Sequence, residues 1–192
     1  NPLRDKLTND QWNKLEEALT PAEQPAGALR AFQISEVFGE GSDMNPAALL
    51  EKDFSAISSG QGWTGIFWAG VDDKGDKIAK GNIHSLHPGT KNAVVYLRTF
   101  IWSPEDRAAE LRTGSDDGMR VWVNGDHVLL TEPTRSFDWD ADKTKIQLKR
   151  GWNTLLLKVA QGSKDWTVAA RLLNDQGKPM NDLKYSALEQ QQ

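Results

Sequence analysis

The spacing of apolar residues changes near Gly27. Before it, Trp12, Leu15 and Leu19 recur at helical spacing over Thr8–Leu19, and Thr8 with Gln11 three residues on makes a capping-box start. Pro21 and Pro25 end that helix. After Gly27 the pattern is that of extended chain. Leu29–Phe38 reads as a strand broken at Gly39–Gly41, Asn45–Asp53 as a short helical turn, and Trp63–Val71 as a strand closed by the turn Asp72–Gly75. Ala93–Trp102 is β-branched, aromatic and nearly continuous, as a central buried strand requires. Met119, Val121 and Val123 alternate with Arg120 and Trp122, and Asn124-Gly125 then predicts a hairpin returning through His127–Leu130. Ile146–Leu148, Thr154–Val159 and Trp166–Leu173 follow at the spacing of an all-β sandwich. The predicted organisation is a helical segment, residues 1–26, packed on a β-sandwich domain, residues 27–192.

Composition narrows the classes of function. With 192 residues the chain can hold a core without staples, and it has no cysteine for disulfides or thiolate metal sites. A formal net charge of -4 argues against a nucleic-acid partner. The longest apolar runs fall far short of the ~20 residues of a spanning helix, so membrane insertion is not expected. The chain opens on Asn1 rather than Met, which reads as a mature or excised part of a larger protein. No Gly-x-Ser-x-Gly elbow accompanies His84, His87 or His127, and no carboxylate pair is singled out, so no catalytic residue is assigned. His84 and His87 lack a third ligand and read as polar loop residues rather than a metal pair.

Three segments carry a resemblance: Gly114–Gly125 (GSDDGMRVWVNG), Leu148–Val159 (LKRGWNTLLLKV) and Gly162–Leu172 with Trp166. In this order they resemble the galactose-binding-like jelly roll. They are similar to the sugar-binding domain of glycoside hydrolase family 2 and to accessory carbohydrate-binding modules of secreted bacterial proteins. The likeness covers about residues 29–173 and leaves the N-terminal helix outside. It implies a jelly-roll sandwich and a secreted, periplasmic or cell-surface location. In such a frame Asp116 and Asp117 suit a tight turn, with Gly118 permitting positive φ. The resemblance also allows a structural calcium ion at Asp116 and Asp117, since a lectin-like family of the protective-antigen type holds calcium and sugar with such a pair. Turn formation is the other reading of the same residues.

The chain has 8 Trp against 2 Tyr, and sorting the Trp is most of the functional question. Trp139 lies between Asp138 and Asp140, a ring platform flanked by polar groups of the kind a sugar site needs. Trp63, after a Gly-rich loop, and Trp166 join it as candidate ligand-binding residues, although Trp166 also matches the resembled family's structural Trp. Trp102 and Trp152 are expected to brace the core or its edge. Trp122, opposite the Val121 and Val123 face, lies either on the outer sheet face or under the N-terminal helix, and the helix cover is favoured because Trp12 and Leu15 need a partner. The expected function is a non-catalytic carbohydrate-binding module with an oligo- or polysaccharide as partner. The alternative is an assembly module that packs against a neighbouring protein domain.

Overall fold

A computed structural model describes residues 27–69 and 81–190. The helix expected at Thr8–Leu19 and the turn at Asp72–Gly75 lie outside the described residues. In chain order the strands are β1 (Ala31–Ser35), β2 (Trp63–Trp68), β3 (Gly81–Asn82), β4 (Ala93–Ser103), β5 (Arg107–Asp116) and β6 (Met119–Val123). They continue with β7 (Asp126–Leu130), β8 (Asp142–Leu148), β9 (Gly151–Gln161), β10 (Thr167–Leu173) and β11 (Lys184–Ser186). Two short helices, α1 (Pro46–Glu51) and α2 (Ser55–Ser58), precede β2. The larger sheet runs β2-β1-β4-β9-β6-β7 with β11 also on β4, and the smaller runs β3-β10-β5-β8. All pairings are antiparallel, and the expected all-β sandwich is what the chain forms.

The backbone of the fold is the pair β4–β9, in register from Ala93↔Gln161 to Ser103↔Gly151. Period two sends Val95, Leu97 and Ile101 of β4, with Leu155, Leu157 and Val159 of β9, into the space between the sheets, where all six are fully buried. Burying a side chain of this size contributes about 1.5–3 kcal/mol. Leu111 of β5 and Val168 and Leu172 of β10 close the core from the smaller sheet. The run Ala93–Trp102 looked continuous because β4 is covered on its outer side too. There Leu49 and Leu50 of α1 pack against Val94 and Ala160. Asn45 caps α1, its Oδ1 accepting from the Ala48 N–H at 2.9 Å.

Asn124 and Gly125 take left-handed φ values of 52° and 88°, which closes the predicted β6–β7 hairpin. The reason for Gly118 differs from the expectation. Its φ is not left-handed, and a Cβ there would lie 2.7 Å from both the Glu132 carbonyl oxygen and the Pro133 Cα, so close approach of the backbone requires the glycine. β5 was not expected from the sequence. Its inward residues Ala109, Leu111, Thr113 and Ser115 are mostly small or polar, and their burial comes from pairing on both sides with β10 and β8.

Candidate functional site

β5 ends at Asp116, and the chain turns through Asp117 and Gly118 into β6. The Asp116–Asp117 peptide bond is cis. Asp117 is buried, and its carboxylate is a joint between loops. Oδ1 accepts from the Arg135 main-chain N–H at 3.2 Å and Oδ2 from the Gly162 N–H at 2.7 Å. The Arg135 side chain extends the joint, since its Nη2 donates to Ser115 Oγ at 2.7 Å and both Nη groups reach the Asp142 carboxylate at 2.9 and 2.7 Å. The turn after β5, the loop between β7 and β8, and the loop after β9 are thereby tied together at one end of the sandwich.

Trp139 and Asp138 belong to this end. The loop that carries them lies flat on the outer side of Gly114, where any Cβ would run into the Asp138 carbonyl. The Phe137 main chain hydrogen-bonds to the Asp116 carboxylate. Phe137 and Trp139 meet edge to face, ring centroids 5.4 Å apart, which fixes the indole plane. Trp139 is half-buried and Asp138 is exposed. The structure therefore brings together Asp116, Asp117, Asp138 and Trp139.

Three other candidates are placed elsewhere. Asp140 adopts φ 53° and turns away from Trp139 to pair with Arg171, and with Arg112 Nη1 at 3.3 Å. Burial alone would raise its pKa, but the hydrogen bonds from Arg171 and Arg112 outweigh that and hold the carboxyl below the ordinary range. It is an ion-pair residue, not an open sugar contact. Trp166 is completely buried in the inter-sheet core and cannot serve as a stacking platform. Trp63 lies on the outer face of the larger sheet, in an open groove with Trp122, Arg98 and Arg120. Trp122 is on that outer face, and the helix favoured as its cover lies outside the described residues. Trp102 and Trp152 face each other across β4 and β9, both half-buried near the strand ends, as braces of the edge.

Asp116 and Asp117 supply the oxygen chemistry calcium takes. Burial raises the pKa of Asp116, and the charges of Asp117 and Asp165 raise it further, so an added cation would relieve crowded negative charge. In number the set is short. Both Asp117 oxygens already accept main-chain hydrogen bonds, and among the described residues no three His, Cys, Asp or Glu side chains converge on one point. An ion here would draw on Asp116, the remaining lone pairs of Asp117, and main-chain oxygens or water.

Arg135 escaped sequence reasoning because nothing local marks it, and its partners Ser115 and Asp142 come from other strands. Among the described residues the histidines form no hydrogen-bonded relay. His127 Nε2 meets the Leu129 carbonyl oxygen at 3.1 Å, His87 lies 6.2 Å from the Trp166 ring, and none of the hydrogen bonds among the described residues joins a histidine to a carboxylate.

No family model matches the chain, and no curated protein matches it. Among solved structures, the chain is similar to the PA14 domain of the MpAFP antifreeze protein, with a TM-score of 0.51 and 14% identity over 87% of this chain and 94% of that one. Its fold is similar to that of a PA14 domain. At that identity the likeness concerns fold alone, and in fold it agrees with the β-sandwich resemblance carried by Gly114–Gly125 and its two companion segments. A PA14 sugar-binding domain from an RTX adhesin aligns at TM-score 0.49 and 14% identity, covering 79% of this chain and 92% of that one. The A domain of epithelial adhesin 9 from Candida glabrata, in complex with Galβ1-3GlcNAc, aligns at 0.48 and 9%, covering 85% and 95%. Likenesses at that level support no further conclusion.

Proposed function

We propose that this chain is a non-catalytic carbohydrate-binding module of a larger secreted bacterial protein, taking a sugar where Trp139 and Asp138 lie beside the Asp116–Asp117 turn. The observation that supports this most is the loop laid over Gly114. It holds the Trp139 ring edge-on to Phe137, whose main chain hydrogen-bonds to Asp116, and leaves Asp138 exposed. A sugar ring would stack on the indole while the carboxylates accept from its hydroxyls. One stacked ring with two or three hydrogen bonds gives a Kd on the order of 10 µM to 1 mM. Titration calorimetry against a panel of oligosaccharides tests this. Trp139→Ala should weaken binding about tenfold or more, and Asp138→Asn should weaken it less if stacking dominates. No binding to any glycan, together with self-association that Trp139→Ala disrupts, would replace this reading with an assembly module.

Calcium is a second part of the proposal, with Asp116 and Asp117 as its carboxylate ligands. A ligand that binds only the folded chain stabilises it by mass action. Millimolar calcium should therefore raise the melting temperature above that in EDTA, and coincident melts would leave the pair as loop-joining residues only.

A further inference from the structure

The outer face of the larger sheet carries an open groove of about 870 Å3 that the Trp139 loop does not line, since that loop lies against Gly114 of β5 in the smaller sheet. Register sets its floor. Gln33, Arg98, Leu156 and Trp122 stand opposite one another in one cross-strand row, and Tyr96, Lys158 and Arg120 form the next. The end of α1, at Leu50–Asp53, makes one wall, and the hairpin tip at Asn124 and Gly125 closes the far end. Five cationic side chains line the groove against the carboxylates of Glu51 and Asp53, in a chain whose formal net charge is -4.

Of these cations, Arg98 and Lys158 have no carboxylate hydrogen-bond partner, whereas Arg120 is paired with Glu51. Arg98 lies over the Trp63 ring, 4.5 Å from its centroid, and gives Nε and Nη2 to Gln33 Oε1 at 2.9 and 2.7 Å. Its partner is thus a neutral amide, and Nη1 has no partner among the described residues. Arg120 lies 5.4 Å over Trp122 and gives Nη1 to the exposed Glu51 at 3.0 Å. Arg120 Nε and Trp63 Nε1 are buried donors with no acceptor among the described residues. Buried Lys158 directs Nζ to the Leu50 and Lys52 carbonyls at 3.0 and 2.5 Å, with the Tyr96 ring 5.4 Å away. The groove therefore presents rigid, aimed donors, and planar guanidiniums favour carboxylate groups.

An extended peptide has no edge to pair with here, because β4, β9 and β6 are interior strands with neighbours on both sides. Arg98 and Arg120 sit on strands separated by β9, about 10 Å apart across the sheet, which calls for a ligand longer than one sugar ring. We propose that this groove is a second binding site, for an oligosaccharide bearing carboxylate groups, with Arg98 and Arg120 as its anion-binding forks and Trp122 and Leu156 beneath its rings. The saccharide class rests on the carbohydrate-binding role proposed above, whereas the anionic character rests on the groove alone.

The test is calorimetry of the full chain with tetragalacturonate, a neutral galactose tetrasaccharide and hexaglutamate, paired with NMR of the Trp indole N–H signals. Tetragalacturonate should bind, move the Trp63 and Trp122 signals, and weaken as salt rises from about 50 to about 500 mM. Hexaglutamate should bind at least about tenfold more weakly, and the neutral tetrasaccharide should leave both indole signals in place. Arg120→Gln should reduce tetragalacturonate affinity about tenfold, the scale of one lost charge-assisted bidentate contact. Arg98→Gln should do at least as much. If the loss of its contact with Gln33 unfolds that variant, Arg120→Gln at the rim carries the test. In Trp139→Ala, tetragalacturonate should still move the Trp63 and Trp122 signals, which report the groove alone. The proposal is overturned by no binding, by hexaglutamate binding as tightly, or by binding that survives Arg120→Gln and is lost in Trp139→Ala. Loss of neutral-sugar binding alone would sink only the loop site.

Discussion

The two outer faces of the sandwich handle charge in opposite ways. On the smaller sheet, Arg112 and Arg171 flank Asp140, Arg112 also meets Glu110 at 2.5 Å, and Lys143 and Lys145 alternate outward on β8 into solvent. On the larger sheet, Arg98, Arg120 and Lys158 rest on aromatic rings; Arg120 also pairs with the exposed Glu51, but the partners of Arg98 and Lys158 are an amide oxygen and helix-end carbonyls. Carboxylate pairing neutralises a cation and uses its donors. Ring faces and carbonyls hold a cation in place while leaving its charge available. The first face is thus neutralised and braced by ion pairs, whereas the second keeps the charges of Arg98 and Lys158 without a carboxylate hydrogen bond. The ion-paired face also lies beside the Trp139 loop, because Asp140 anchors the loop whose neighbours Asp138 and Trp139 face outward.

Removing what both faces share should have the largest effect. Leu157→Ala opens a cavity at the middle of β9, where the side chain is fully buried, and should cost about 2–5 kcal/mol by urea denaturation. Both faces should loosen together, and a loss confined to one face would show that the sheets are less coupled than the common core implies.

Next in size is Lys158. Desolvation by burial pulls its pKa down to about 8, helped by the charge of Arg120, while Asp53 and Glu51 oppose the shift. Between about pH 8 and the ordinary lysine value the unfolded chain binds more protons than the folded one, so stability should rise with pH across that window, by up to about 3 kcal/mol. Lys158→Met should lack this rise. Parallel pH profiles for the two proteins would mean that Lys158 is not the titrating group.

On the smaller sheet the sign reverses. The folded pKa of Asp140 is depressed, so its contribution is fully present above the ordinary carboxylate range and is lost as pH falls through the folded value. Asp140→Ala should cost about 1 kcal/mol at neutral pH, since the group is part-exposed. The difference from wild type should vanish in acid, and a cost that persists there would point to packing of the loop instead. Trp139→Ala should change stability least, by less than about 1 kcal/mol, while reducing sugar binding. A large loss of stability would make Trp139 a strut of the loop rather than a platform.

How far the sequence could be read varies with the reach of the interaction. Met119–Val123 and its Asn124-Gly125 hairpin were legible because alternation and turn chemistry are local. β5 was not, because Ala108, Ala109, Glu110 and Arg112 carry little strand preference and are held by two neighbouring strands. Asp138 and Asp140 looked equivalent beside Trp139. They differ because a left-handed turn at Asp140 hands it to Arg171, 31 residues away along the chain. Trp63 and Trp166 looked alike as loop-proximal aromatics, yet one lies in a groove and the other in the core.

By itself, then, the sequence determined the sandwich, its principal strands and the loop that offers Trp139. Those follow from period, turn residues and the Gly114–Gly125 pattern, all of which act between near neighbours. Only the tertiary structure decided which charges are free. Whether a guanidinium is neutralised depends on what the adjacent strand places opposite it. Gln33 opposite Arg98 and Lys158 opposite Arg120 are cross-strand partners brought together by register. Register is set by the packing of the whole core, so the cation-lined groove becomes visible only once β1, β4, β9 and β6 lie side by side.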